Sequence, residues 1–396
     1  MRFALSILLA IVGASSSGLA QTASLACNQK PGGRAYWAEY AYCDLPVNGP
    51  ARAQGLVLWS HGVYGDRDQY NAPLPPIVRA MAVRGWDVVR INRNNLHERG
   101  WSTSGPRHRD DALERVKAAK AQGYRHVVLA GQSYGAAISL EANARSSAID
   151  GVLALAPTHG SDAGQAEGRE IYRNLERYLL EAVSAQKGGR VVVLVPPSDL
   201  NQPGRTATAG GRLKAPLAAT GRPYVVFDET LPIRGHLAGY ASQFAAWFGE
   251  CVIGFLDPTQ PVAAGETVCR APNPLPRFLL PADLRRPTPG IDGTGSWLGA
   301  WEGTITQHRA ELLVVVEAAT TEAATVVYAT GAGPKLDLDM GYSRYTNARF
   351  VNRSLVVDLG RGSRFVMTLS VDRQRVAYQY SGAGSETMTG TLLRTN

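Results

Sequence analysis

Between residues 54 and 229 the chain alternates short, uninterrupted apolar runs with longer stretches of helical pattern. The runs are GLVLWSHG (55–62), WDVVRIN (86–92), HVVLAG (126–131), GVLALAP (151–157), RVVVLVPP (190–197) and PYVVFDE (223–229). Runs this short, rich in Val and Leu, predict strands buried on both faces, as in a parallel sheet. The stretches PLPPIVRAMAVRG, HRDDALERVKAAKAQG, GAAISLEANARS and GREIYRNLERYLLEAVSAQ between them predict helices. Such alternation predicts an α/β domain, a mostly parallel sheet with helices on both faces. Ahead of it, RAYWAEYAYCDLPV predicts antiparallel edge strands.

After Cys269 the pattern changes. APNPLPRFLLPADLRRPTPGIDGTGS is crowded with Pro and Gly and reads as a linker or an extended strap. Eight short alternating segments follow: AWEGTIT, AELLVVVEA, AATVVYAT, YTNARFV, SLVVDLG, RFVMTLSV, RVAYQYS and MTGTLLR. Their regular spacing predicts an all-β sandwich or barrel. The expected organisation is a signal peptide over 1–20, a catalytic domain over 21–270, a Pro/Gly-rich linker over 271–296 and a β domain over 297–396.

A chain of 396 residues with 45% hydrophobic and 19% charged residues is long enough for two cores and too apolar for a disordered protein. The net charge is +8, but the 41 Lys and Arg are scattered without a run of five or six. That reads as an ordinary basic surface, and no nucleic-acid partner is expected. Arg2, the apolar FALSILLAIVG and the small-residue ASSSGLAQ predict a secretory signal peptide cut after Ala20. No other segment is apolar for long enough to span a bilayer, so the mature protein is expected in the periplasm or outside the cell. Four cysteines suit an exported chain and allow three pairings. Proximity favours Cys27 with Cys43 and Cys251 with Cys269. No C-x-x-C or His-rich cluster suggests a metal.

Chemistry concentrates at VVLAGQSYGAAISLEA (127–142). Gly131-Gln132-Ser133-Tyr134-Gly135 sits between a buried strand and a helix, where a sharp turn lifts a serine above the sheet. The amide of Tyr134 falls at the helix N-terminus, which favours an anion. A serine hydroxyl needs a base, and the base an orienting acid. His236, in LPIRGHLAGY, follows the last predicted strand. Asp199, in VPPSDLNQPG, follows the one before it. Asp228, on the last strand itself, is the rival acid. For a second oxyanion donor, LWSHGVYGDRD offers the Val63 amide just past His61-Gly62. Tyr64, Asn92, Arg93 and His159 are candidates to line the pocket.

With Ser133, Asp199 and His236 in this order, the chain resembles the α/β-hydrolase family over roughly residues 30 to 255, closest to its dienelactone-hydrolase-like and small esterase members. The resemblance implies an eight-stranded sheet, acyl-enzyme chemistry and no cofactor. No HGGG run supports a lipase-type oxyanion loop. The stretch between Pro157 and Arg190 holds one helix, which implies a lightly lidded pocket. Gly299-Ala300-Trp301 on the first barrel segment and Arg394 on the last resemble lipocalin-like barrels, in which a first-strand Trp packs under a late Arg. That implies either a ligand-binding barrel or a packed domain that shields or orients the hydrolase.

These readings predict an exported serine hydrolase cleaving small or polymeric carboxylic esters. A peptidase or amidase with the same triad, or a non-catalytic hydrolase-fold binding protein, are the alternatives.

Overall fold

The computed structural model describes residues 38–41, 45–62, 73–92, 101–159, 169–197, 199, 210–291, 293–306, 310–331, 340–360, 362–382 and 387–395. The first part is a sheet of β1 (Ala38–Ala41), β2 (Leu56–Ser60), β3 (Asp87–Asn92), β4 (Val127–Gln132), β5 (Gly151–Leu155), β6 (Arg190–Leu194), β7 (Pro223–Phe227) and β8 (Gly265–Glu266), in the spatial order β1-β3-β2-β4-β5-β6-β7-β8. Only β1 runs antiparallel, against β3. The six apolar runs are β2 to β7, and RAYWAEYAYCDLPV supplies β1. Two residues long, β8 carries no apolar run and was not anticipated.

The uninterrupted apolar runs have a direct packing cause. Val57 and Trp59 of β2, Val128 and Ala130 of β4, and Leu153 and Leu155 of β5 face one buried layer. Leu56 and Leu58, Val127 and Leu129, and Val152 and Ala154 face the other. The first layer is closed by α1 (Pro76–Val83) and α6 (Ser242–Leu256). The second is closed by α2 (Trp101–Ala121), α3 (Tyr134–Asn143) and α4 (Arg169–Ser184). Between β6 and β7 lies the short α5 (Lys214–Ala219). The sequence places the start of α2 at His108, but the helix begins at Trp101 and runs through Pro106. Pro106 is the sixth residue of the helix, just past the four N–H groups that have no intrahelical acceptor, so it forfeits one bond, to the carbonyl of residue 102.

The second part is a closed antiparallel barrel whose eight strands match the eight alternating segments in order. They are β9 (Gly299–Ile305), β10 (Ala310–Ala319), β11 (Ala323–Thr330), β12 (Gly341–Val351), β13 (Ser354–Gly360), β14 (Ser363–Leu369), β15 (Arg375–Ser381) and β16 (Met388–Thr395), with β16 pairing β9 to close the ring. Trp301 is fully buried, and the Arg394 guanidinium lies 4.1 Å from its ring centroid. Arg394 also donates to the carbonyls of Leu298 (2.9 Å) and Ser296 (2.5 Å), while Trp301 Nε1 donates to Trp297 O (3.0 Å). The barrel end is thus stoppered by a stacked, hydrogen-bonded cation.

Unlike most barrel strands, β10 is apolar on both faces. Leu312, Val314 and Val316 point into the core. Leu313 and Val315 lie outside, covered by Phe278, Leu280 and Leu284 of the Pro-rich stretch, which is therefore a strap over the barrel. Between β11 and β12, Met340 enters the core of the sheet domain, fully buried, and its amide donates to Gln243 Oε1 of α6 at 3.0 Å. Cys251 of α6 is bridged to Cys269, with Cα atoms 5.7 Å apart. Cys27 and Cys43 lie outside the described residues. No helix among the described residues is long and apolar enough to cross a membrane.

Candidate active site

Ser133 has φ 56° and ψ −121°, a backbone conformation that an L-residue keeps only when its surroundings enforce it, at a cost of order 1–3 kcal/mol. The enforcement is visible. Its N–H donates to Leu155 O at 2.9 Å, and its carbonyl accepts from Ala136 N (3.0 Å) and Thr158 N (3.2 Å). The flanking glycines permit the approach. A Cβ on Gly135 would stand 2.6 Å from His61 O, and one on Gly131 2.6 Å from Ala136 N. Any side chain at either position would push α3 off β2 and open the turn.

The catalytic candidates converge on the carboxyl edge of the sheet. His236 Nδ1 donates to Asp199 Oδ2 at 2.8 Å, with the Asp199 carboxylate buried and the imidazole only partly exposed. Because the carboxylate can only accept, this bond fixes the Nδ1–H tautomer and leaves Nε2 as the basic nitrogen. Gly235 N, next to His236, donates to Pro197 O at 2.9 Å, tying the two loops together. Gln132, the residue before Ser133, donates through Nε2 to His236 O at 3.4 Å. Ser133 itself is 8% exposed. After His236, the turn Ala238–Tyr240 packs on β5, where a Cβ on Gly239 would meet Leu155 Cβ at 2.9 Å.

Asp228 is committed elsewhere. Its Oδ2 lies 2.9 Å from Lys214 Nζ, and its Oδ1 accepts from Thr230 N (3.0 Å) and Oγ1 (2.7 Å). Burial works to raise its pKa, but the hydrogen bonds from Thr230 and Lys214 prevail and hold it below the usual carboxylate range. It caps the turn after β7, while the imidazole pairs with Asp199.

Of the remaining candidates, Tyr134 opens α3 and is buried. Val63, Tyr64 and Arg93 lie outside the described residues, as does the Asn92 side chain. The approach to Val63 is described: a Cβ on Gly62 would stand 3.1 Å from Ser133 Cβ, so this loop begins alongside the serine. His61 is fully buried with Nδ1 2.6 Å from Gly62 O. His159 lies four residues past the end of β5. It is fully buried, with Nε2 3.5 Å from Glu141 Oε1 and its ring 5.5 Å from that of Tyr178. Burial pushes its pKa down, against the pull of Glu141. A contact that the sequence did not suggest joins His108 of α2 to the Tyr134 hydroxyl. Among the described residues, no three His, Cys, Asp or Glu side chains group to hold a metal ion.

A strained serine turn after β4, an Asp after β6 and a His after β7 stand on a sheet of the α/β-hydrolase order. No family model and no curated protein matches the chain. Solved structures similar to it include a puromycin-hydrolysing peptidase of Mycobacterium tuberculosis, at 15% identity and TM-score 0.41 over 58% of this chain and 39% of that one. A putative dienelactone hydrolase from Klebsiella pneumoniae is 13% identical, at TM-score 0.39 over 59% of this chain and 97% of that one. The esterase domain of a Rhodothermus marinus protein is 18% identical, at TM-score 0.36 over 54% and 90%. The chain therefore spans well under half of the peptidase and most of the other two.

Proposed function

We propose that this protein is an exported serine hydrolase that cleaves carboxylic esters through an acyl-enzyme on Ser133. The observation that carries the reading is the Asp199–His236 hydrogen bond at 2.8 Å, set beside a serine in a strained turn whose neighbour Gln132 touches the His236 backbone. His236 Nε2 takes the Ser133 proton as Oγ attacks the ester carbonyl, then returns it to the departing alkoxide. Water, deprotonated by the same nitrogen, hydrolyses the acyl-enzyme. Asp199 holds the tautomer and stabilises the imidazolium. The oxyanion is received by the amides of Tyr134, at the positive end of α3, and Val63. Export is supported by the N-terminal sequence and by the Cys251–Cys269 bridge, a bond that persists in oxidising compartments.

The test is turnover of a soluble short-chain aryl ester beside the corresponding anilide. The reading expects ester cleavage by the wild type, slower anilide cleavage, and loss of both in Ser133→Ala. Undiminished ester turnover in Ser133→Ala would remove the serine from the mechanism.

A further inference from the structure

On the flank of the turn facing α2 stands a buried polar pair that the proposed chemistry does not use. Tyr134, the residue directly after Ser133, is 1% exposed, and its hydroxyl lies 2.9 Å from Nδ1 of His108, itself 5% exposed. The rings meet edge to face with centroids 5.7 Å apart. Either atom can donate, according to the imidazole tautomer. Two buried polar groups from elements 26 residues apart in sequence thus meet at the first turn of the nucleophile helix.

We propose that His108 is a positioning residue for this hydrolase, acting through the Tyr134 side chain to hold the Ser133 turn and the Tyr134 amide in their reactive geometry. This rests on the serine-hydrolase reading above. Among the described residues, backbone contacts also restrain the turn: Ser133 N to Leu155 O, Thr158 N to Ser133 O, and the packing of Gly135 and Gly131. Those fix where the turn lies between β2, β4 and β5. The Tyr134–His108 bond fixes its rotation toward α2. A strained φ relaxes when one of its restraints is removed, and a relaxed turn moves both the nucleophile and an oxyanion donor.

The inference predicts a particular kinetic signature. Displacing reacting groups by a fraction of an ångström costs rate rather than substrate binding. His108→Leu and Tyr134→Phe are each expected to lower kcat for a soluble ester by about tenfold or more, with KM little changed. The rate of covalent inactivation by a fluorophosphonate should fall by the same factor. The double variant should fall no further than either single one, because one bond is removed in all three. His108→Asn, whose Nδ2 can take the place of Nδ1, should recover most of the rate. Tyr134→Phe removes one atom from a packed ring, so it reports even if His108→Leu fails to fold. Wild-type kcat and inactivation rate in Tyr134→Phe, or additive losses in the double variant, would overturn the proposal. Absence of any Ser133-dependent turnover in the wild type would instead overturn the underlying hydrolase reading.

Discussion

Inside the barrel the inward positions are apolar in long succession, from Leu312, Val314 and Val316 on β10 to Phe365 and Met367 on β14. The hydroxyls buried among them, of Tyr328 and Tyr378, lie 3.2 Å apart, and burial keeps the Tyr378 phenol neutral by pushing its pKa up. The carboxyl edge of the parallel sheet is built differently. There Ser133 and Ala156 both hold positive φ, and His61, Gln132, Asp199 and Asp228 are buried polar groups. The barrel has its own non-glycine residues at positive φ, Asn352, Arg353 and Arg373, but they lie in hairpin turns, whereas Ser133 and Ala156 hold theirs among buried polar groups at the end of buried strands. By this comparison the barrel interior is a packed apolar core, and the proposed reactive apparatus belongs to the sheet.

The comparison can be broken most severely at the two aspartates. Asp199→Asn should lower ester kcat by about 10³–10⁴, since an amide in that place presents the wrong tautomer of His236. Asp228→Asn should leave kcat near the wild-type value, because its partners are Lys214 and Thr230. The reverse ranking would mean that the imidazole turns to Asp228 in the working enzyme. A smaller effect sharpens the relation between the two parts. Met340 comes from the β11–β12 connection but is buried in the core of the sheet domain. Met340→Ala should therefore cost about 2–5 kcal/mol in the thermal or urea transition that abolishes ester turnover. If that transition stays put while another one moves, the barrel folds independently of the sheet domain it packs against.

Much of this was legible in the chain because the physics is local. Six strands announced themselves as short Val/Leu runs, since a strand covered by helices on both sides has no polar face. The eight barrel segments were legible from their two-residue alternation and turn spacing. The Trp301–Arg394 stopper followed from two residues nearly a hundred positions apart, and the guanidinium lies over the indole ring. What stayed hidden depends on contacts between distant segments. Two residues are too few to give β8 a pattern, and Pro106 masked the first two turns of α2. Asp199 reads as part of a turn after one strand and Asp228 as part of the next strand, and it is the pairing of His236 with Asp199, and of Lys214 and Thr230 with Asp228, that separates them. Nothing in HRDDALERVKAAKAQG marks His108 as the residue that meets the Tyr134 hydroxyl. The apolar outer face of β10 likewise makes sense only with the strap laid over it.

The central claim is that Ser133 is the nucleophile, and covalent labelling addresses it directly. Purified protein treated with a fluorophosphonate, digested and read by peptide mass spectrometry should carry one adduct, on the peptide containing Ser133. Ser133→Ala should carry none, and His236→Gln should label far more slowly than wild type. A wild-type protein that stays unlabelled while folded, or that carries its adduct on another residue, would contradict the account.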